Sequence, residues 1–152
     1  MASKDTIQQL INRRNELLQK ASETRNVNDL IKWYSKDATF CNVYQNLTIT
    51  GTQALREFYT SAYTAIPTFK ITSAVSTGTA EFVASELDCQ GMAGVALPQM
   101  GIQKGASFKL KGVSLFWWRW DGEGEEWGGG LDEESVKGWK IVRENAYHQV
   151  VE

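Results

Sequence analysis

Arg14 is a charged residue whose position suggests a buried role. It lies in the middle of an apolar stripe that recurs at helical spacing between residues 5 and 22. Charged side chains are rarely buried unless they are paired. Arg14 therefore either belongs to an internal site, where it could pair with a carboxylate, or extends along the helix edge to reach solvent.

Glu86 and Asp88 form a second candidate, because a pair of carboxylates suits acid-base chemistry. They share one face of a predicted strand, since side chains alternate along an extended chain. The other face carries Leu87 together with Val83, Ser85 and Cys89. We therefore expect Leu87 to face the interior and the two acids to face solvent or a dimer partner.

Composition and charge exclude several classes of function. Sixteen Lys and Arg residues against eighteen Asp and Glu give a net charge of −2, which does not favour nucleic-acid binding. A single histidine, His148, and two distant cysteines, Cys41 and Cys89, argue against a metal site or a disulfide framework. There is no apolar run long enough for a signal or a membrane span, so we expect a cytoplasmic protein that binds no membrane.

The periodicity of the chain changes near its middle. Helical patterns are predicted over residues 5–22, 28–34 and 53–65, with a short hairpin at 38–43 and 47–50. Extended patterns then dominate, and they predict four strands in meander order: 68–77, 79–90, 106–120 and 138–151. Helices followed by strands indicate an α+β fold.

Two long connections interrupt the predicted strands. Residues 91–105 mix glycine with apolar side chains, which suits either a mobile flap over a greasy ligand or only a long loop. Residues 121–134 carry seven acids and show no periodicity, so the segment 121–136 is predicted to be a flexible, solvated hairpin tip.

The sequence resembles the ketosteroid isomerase branch of the nuclear transport factor 2-like (NTF2-like) superfamily. The resemblance rests on Asp37-Ala-Thr, Gly51-Thr and Arg56-Glu-Phe-Tyr59 at their spacing. The second half, with Gln90-Gly91 and the runs Lys111 to Phe116 and Gly138 to Val142, is similar to the SnoaL-like polyketide cyclases. This resemblance implies a single domain over 1–152, built as a cone-shaped barrel of curved antiparallel sheet wrapped around three N-terminal helices. It also implies an enclosed pocket and a homodimer formed through the outer face of the sheet.

Departures from the isomerase pattern are informative. Asn42 occupies the position of the general-base aspartate, and Ser114 the position of the protonated aspartate that donates to the oxyanion. Asn42 could donate to a substrate carbonyl or simply cap the hairpin, and Ser114 on an apolar strand is commonly a satisfied core hydroxyl. Steroid isomerisation is therefore disfavoured.

The family register implies which side chains enter the pocket. On the last strand it points Glu144 and His148 inward, although His148 is near the chain end, where strands fray. On the preceding strand it places Ser114, Phe116 and Trp118 inward as a partly aromatic wall. Tyr34 and Tyr59 would add hydroxyl groups from the helical side, and Arg14 would complete the site.

These residues predict a cofactor-independent isomerase, cyclase or dehydratase. Glu144 would take or give a proton, while Arg14 and the hydroxyl of Tyr59 or Tyr34 stabilise charge on a substrate oxygen. The resemblance alone implies the substrate class, a polycyclic polyketide, meroterpenoid or alkaloid intermediate of secondary metabolism. The alternative is a non-catalytic ligand-binding or dimeric association domain, in which Arg14 and Glu144 would satisfy each other in a filled pocket.

Overall fold

The computed structural model describes residues 2–151, and it contains the helices and strands that the sequence predicts. In chain order these are α1 (Lys4–Glu23), α2 (Val27–Ile31), β1 (Tyr34–Asn42), β2 (Leu47–Thr50), α3 (Thr52–Ala65), β3 (Thr68–Gly78), β4 (Phe82–Met92), β5 (Ser107–Trp120), α4 (Glu133–Val136) and β6 (Trp139–Val151). Within residues 2–151, no helix combines the length and hydropathy needed to cross a bilayer. The α+β class predicted from the sequence is confirmed.

The helices begin where polar side chains accept the free backbone N–H groups of the first turn. Ser3 accepts a hydrogen bond from the backbone N–H of Thr6 at the start of α1, and Asn26 accepts one from Asn28 at the start of α2. The second helix ends at Ile31, earlier than predicted, because Tyr34 already belongs to β1. This early change of conformation turns Tyr34 into a strand residue facing the interior.

The six strands form one sheet in the order β2-β1-β6-β5-β4-β3. Neighbouring strands run antiparallel except β1 and β6, which are parallel. The curved sheet beside the N-terminal helices agrees with the predicted fold; the sheet is not closed, and the parallel pair of β1 and β6 departs from the expected antiparallel order. The reason is topological: the β3 to β6 meander brings its last strand beside β1, and strand patterns alone do not reveal that pairing.

Side chains of α1 cover the free edge of the sheet at β3. The amide of Gln19 donates to the carbonyl oxygen of Ile71 at 3.0 Å, and the amide of Gln8 donates to that of Ser76 at 3.2 Å. These bonds occupy carbonyl groups on the last strand of the sheet. They also hold α1 across the curved face and leave an enclosed space behind it.

The connection after β4 is folded against the protein, and the structure supports neither the flap nor the plain loop. Leu97 and Ile102 pair across a tight turn that contains a 3₁₀ segment, Pro98–Met100. Both side chains are buried with Ala93 and Phe108 in a second hydrophobic cluster. The apolar residues that suggested a flap are thus explained by this cluster.

The acidic connection after β5 is mostly exposed and is attached to the core at two points. Val136 at the end of α4 is fully buried, and the ring of Trp127 packs 6.3 Å from that of Trp139. The carboxylate of Asp132 accepts from the backbone N–H of Ser135 at 2.7 Å and caps α4. Two apolar side chains therefore attach the segment to the core, while its acids remain in solvent.

Candidate active site

A cavity of about 270 Å³ lies between the helices and the inner face of the sheet. It is close to the lower limit of the volumes found for small-molecule sites, roughly 300 to 1,000 Å³. Its walls are mostly aromatic and aliphatic, with a few polar groups. The polar and ionisable groups used below are Arg25, Tyr34, Tyr59, Ser114, Glu144 and His148.

Glu144 is the acidic residue of this cavity. Along β6 alternate side chains face inward, and this places Glu144 at 8% exposure beside Phe116 of β5. The hydroxyl of Tyr34 donates to Oε1 of Glu144 at 2.6 Å. Among residues 2–151, no other protein group is found bonded to this carboxylate, which leaves its second oxygen available to a ligand.

The pKa of Glu144 is raised to about 7. Burial is the main cause, because an apolar environment disfavours the charged form, and the hydrogen bond from Tyr34 opposes it. Within the described chain no Lys or Arg lies within ion-pair distance of Glu144. Near neutral pH the group is therefore present in both its acid and its base form.

Tyr34 and Tyr59 form a directional chain of hydroxyl groups that ends on Glu144. Their oxygens are 2.9 Å apart, and Tyr34 uses its only proton on Glu144, so Tyr59 donates to Tyr34. Burial and the nearby Glu144 carboxylate raise the pKa of both phenols well above the usual value. The two hydroxyls consequently stay protonated while Glu144 titrates.

A second pair of polar side chains, Ser114 and His148, lies further along the sheet, and Ser114 is two residues from Phe116, the β5 partner of Glu144. Nε2 of His148 is 2.9 Å from Oγ of Ser114, on neighbouring strands β6 and β5. Burial lowers the pKa of His148, so the imidazole is neutral at pH 7. Ser114 and His148 can therefore hold a substrate oxygen or exchange a proton at a distance from Glu144.

Comparisons with known proteins identify the fold of this chain. No protein-family model and no curated protein matches the sequence. Solved structures are similar to it at low sequence identity, and three of them serve as examples. A candidate polyketide cyclase from Silicibacter sp. has a TM-score of 0.69 at 16% identity, covering 94% of this chain and 90% of that one. A candidate SnoaL-like polyketide cyclase from Shewanella denitrificans has 0.65 at 16%, covering 93% and 89%. An NTF2-like protein from Anabaena variabilis has 0.62 at 15%, covering 97% and 92%.

The chain has the NTF2-like fold. In this NTF2-like fold, seven of the ten residues predicted from the sequence line the cavity: Tyr34, Tyr59, Leu87, Ser114, Phe116, Glu144 and His148. The other three, Arg14, Asn42 and Trp118, do not line it, and each has a different environment.

Arg14 does not meet Glu144. Its guanidinium donates to the carbonyl oxygen of Ala80 at 2.8 Å and stacks on two rings, at 4.3 Å from the centre of Trp118 and 5.0 Å from that of Trp139. Burial lowers its pKa to about 9, with the nearby Glu81 opposing that shift. Arg14 was expected to line the site and does not, because Asn15, one residue further and about 100° around the helix, faces the cavity in its place; the ion pair considered as an alternative does not form either.

Trp118 and Asn42 do not line the cavity of this NTF2-like fold, and both make structural contacts instead. Trp118 points inward as predicted but lies beneath Arg14, on the level of Ile141 and beyond Glu144. The side chain of Asn42 accepts from the backbone N–H of Gln45 at 3.3 Å, which corresponds to the hairpin cap considered for it from the sequence.

Arg25, the cationic residue that lines the cavity, was not predicted from the sequence. It follows α1 with a φ of 56°, a left-handed conformation that turns the chain towards α2. No pattern in the sequence marks that turn.

Among residues 2–151, no group of three or more His, Cys, Asp or Glu side chains could hold a metal ion.

Proposed function

We propose that the protein is a cofactor-independent isomerase or cyclase in which Glu144 transfers a proton to and from a polycyclic substrate. One observation carries the proposal: a buried carboxyl group with a pKa of about 7, bonded to a tyrosine and unpaired with any cation, lines an apolar cavity. General acid-base catalysis is most efficient when the pKa of the group is near the working pH.

The proton transfer begins with the ionised form of Glu144. The carboxylate removes a proton from a carbon next to a carbonyl group, and the electron pair of the broken C–H bond moves into an enolate. Glu144 then returns the proton to another atom of the substrate. The double bond shifts or, if the enolate attacks a second carbonyl carbon, a ring closes.

Tyr34 is suited to stabilise the enolate oxygen. While Glu144 is ionised, the proton of Tyr34 is committed to it. Once Glu144 carries the substrate proton, that bond weakens and the hydroxyl can donate to the developing negative charge. Tyr59 supports this step because it donates to the oxygen of Tyr34 and so keeps the Tyr34 proton directed away from Tyr59.

Ser114 and His148 provide a second polar site for a substrate with more than one oxygen. The rest of the cavity is lined by aromatic rings, among them Phe40, Phe58 and Phe116, and it suits a substrate of two or three fused rings. Polyketide, meroterpenoid and alkaloid intermediates of secondary metabolism have this character. The names of two similar structures, both candidate polyketide cyclases, support the same class.

The exchange of carbon-bound hydrogen tests the function without the natural substrate. In D₂O, the wild-type protein should accelerate deuterium incorporation next to the carbonyl of 2-tetralone, a bicyclic ketone. Glu144→Gln should abolish the acceleration, and Glu57→Gln, an exposed control on α3, should leave it unchanged. Exchange by Glu144→Gln at the wild-type rate, or no acceleration by the wild-type protein, would contradict the proposal.

We also propose that the protein forms a homodimer through the outer face of the sheet. Val75 and Val113, at 69% and 36% exposure, lie on either side of Glu86 in one row across β3 to β5 on that face. Light scattering after gel filtration should give twice the chain mass for the wild type and a monomer for Val113→Glu. A monomeric wild type would contradict this assembly.

A further inference from the structure

The cavity contains a cationic side chain near an end of α3. The guanidinium carbon of Arg25 lies 4.0 Å from the ring centre of Tyr63 and 5.3 Å from that of Phe69. All three residues line the cavity. The charge is therefore held among aromatic walls that a substrate would also touch.

Arg25 and Glu144 lie towards opposite ends of the cavity. Tyr59 belongs to the Glu144 end through Tyr34, whereas Arg25 donates to the carbonyl oxygen of Ile66, after the last turn of α3. At 1.5 Å per residue, Tyr59 and Ile66 are separated by about 10 Å along the helix.

Strand pairing in the sheet also places Glu144 and Arg25 towards opposite ends of the cavity. Glu144 is level with Val83 on β4 through Phe116, while Phe69 pairs with Gly91 at the other end of β4. A substrate that spans the cavity would therefore meet the carboxyl group at one end and the guanidinium at the other.

The guanidinium of Arg25 is held in position but retains free donors. It has five N–H groups, and it donates to the carbonyl oxygens of Ser22 and Ile66. Its Nε has no hydrogen-bond partner. In the described part of the chain no carboxylate lies within ion-pair distance of it. The cation is thus positioned by the backbone and is not neutralised by an acid.

The backbone conformation of Arg25 independently indicates a role for its side chain. Thr24 caps the end of α1, so Arg25 occupies the next position, where helices commonly have glycine in a left-handed conformation. Arg25 has this conformation, with a φ of 56°. A residue with a long side chain stands where glycine would fit with less strain, which favours a role for the side chain itself.

We infer that Arg25 binds an anionic oxygen of the substrate, a carboxylate or a phenolate, at the end of the cavity opposite to Glu144. The substrate is then an acidic aromatic polycycle. This inference rests on the proposed function, since it assigns the substrate class of the same cavity. When Glu144 is protonated and His148 is neutral, Arg25 leaves the cavity with a net positive charge that suits such a ligand.

Two probes of equal shape test the charge preference. The ligands are 2-naphthoate, which is an anion at pH 6, and 2-naphthamide, which is neutral. Calorimetric titration of the wild type should give about tenfold tighter binding for the anion. Arg25→Met should remove the preference, Arg25→Lys should retain part of it, and Lys20→Met, an exposed cation on α1, should leave it unchanged.

A structural role for Arg25, tying α1 to the end of α3, predicts other results. Equal affinity of the wild type for both probes, or a preference that persists in Arg25→Met, would overturn the inference. If Arg25→Met does not fold, Arg25→Gln, which is polar but uncharged, decides the question: it should also lose the preference, and a preference that persisted in it would overturn the inference.

The two proposals can fail separately. Ketone exchange by the wild-type protein reports on Glu144, because 2-tetralone carries no anionic group. Exchange together with equal probe affinities would overturn the role of Arg25 alone. If the wild type bound neither naphthyl probe, the inference would fail together with the proposed substrate class.

Discussion

The hydroxyl of Tyr34 donates to Oε1 of Glu144 at 2.6 Å, and no cation of residues 2–151 contacts this carboxylate. The two groups have opposite effects on the proton of Glu144. Burial favours the neutral acid, whereas the tyrosine favours the carboxylate. Their balance leaves the group able to give and to accept a proton near pH 7.

Replacement of Tyr34 by phenylalanine should move that balance towards the acid. Tyr34→Phe removes the hydrogen bond that stabilises the carboxylate, so the pKa of Glu144 should rise above about 7. The pH at which 2-tetralone exchange reaches half its maximal rate should increase accordingly. Tyr59→Phe should have a smaller effect because it acts through Tyr34, and an unchanged midpoint in Tyr34→Phe would contradict the assignment.

Stability should depend on pH through Glu144. Its pKa is about 7 in the folded protein and about 4.5 in the unfolded chain, so the folded state binds the proton more tightly. Its contribution therefore becomes less favourable from pH 4.5 to pH 7 and then stays constant, a total change of about 3 kcal/mol.

Glu144→Gln should remove this penalty. Relative to the wild type, its free energy of unfolding in urea should increase by about 3 kcal/mol between pH 4.5 and pH 7.5. Glu57→Gln, at an exposed position of α3, is the matched control and should follow the wild type. A constant difference between Glu144→Gln and the wild type over this range would show that Glu144 has an ordinary pKa.

Arg14 should be replaceable by an apolar side chain of similar length. Its guanidinium is enclosed by Trp118 and Trp139, and isosteric replacement of a buried charge is commonly tolerated. We expect Arg14→Met to change the free energy of unfolding by less than about 1.5 kcal/mol, and Arg14→Ala to lower it by about 3 kcal/mol through loss of packing. Urea unfolding measures both.

The same variant separates Arg14 from the catalytic group. Because Arg14 does not contact Glu144, Arg14→Met should leave the pH dependence of 2-tetralone exchange unchanged. A midpoint raised by one pH unit or more would indicate the ion pair that the sequence suggested.

The acidic connection after β5 should contribute to stability through Trp127. This ring packs on Trp139, and its Nε1 donates to the carbonyl oxygen of Gly130 at 3.0 Å. Trp127→Ala should lower the free energy of unfolding by about 2 kcal/mol, since the ring is partly buried. Glu126→Ala next to it serves as the control, and equal urea midpoints for the two variants would indicate a segment without a structural role.

The sequence predicted those parts of the site that depend on strand alternation. The two-residue period on β5 and β6, placed in the family register, directed Ser114, Phe116, Glu144 and His148 inward together. It failed for Arg14, because a rotation of about 100° per helical residue decides which of two neighbours faces the cavity. It missed Arg25, whose position depends on a left-handed turn and on a carbonyl 41 residues away.

The topology was predictable only in part. The meander from β3 to β6 follows from successive strands joined by connections. The parallel pairing of β1 with β6 joins segments about a hundred residues apart, and no local pattern encodes it. Tyr34 and Glu144 meet across these two strands, so the central hydrogen bond could not be read from the sequence.

The most direct measurement is the titration of the Glu144 carboxyl carbon by NMR in protein labelled with ¹³C-glutamate. The spectrum of Glu144→Gln assigns the signal by its absence. We expect one glutamate signal that titrates near pH 7 and is missing in the variant. If every glutamate carboxyl group titrated below about pH 5, the ordinary range for this side chain, Glu144 would be a simple anion and the proton-transfer account would be wrong.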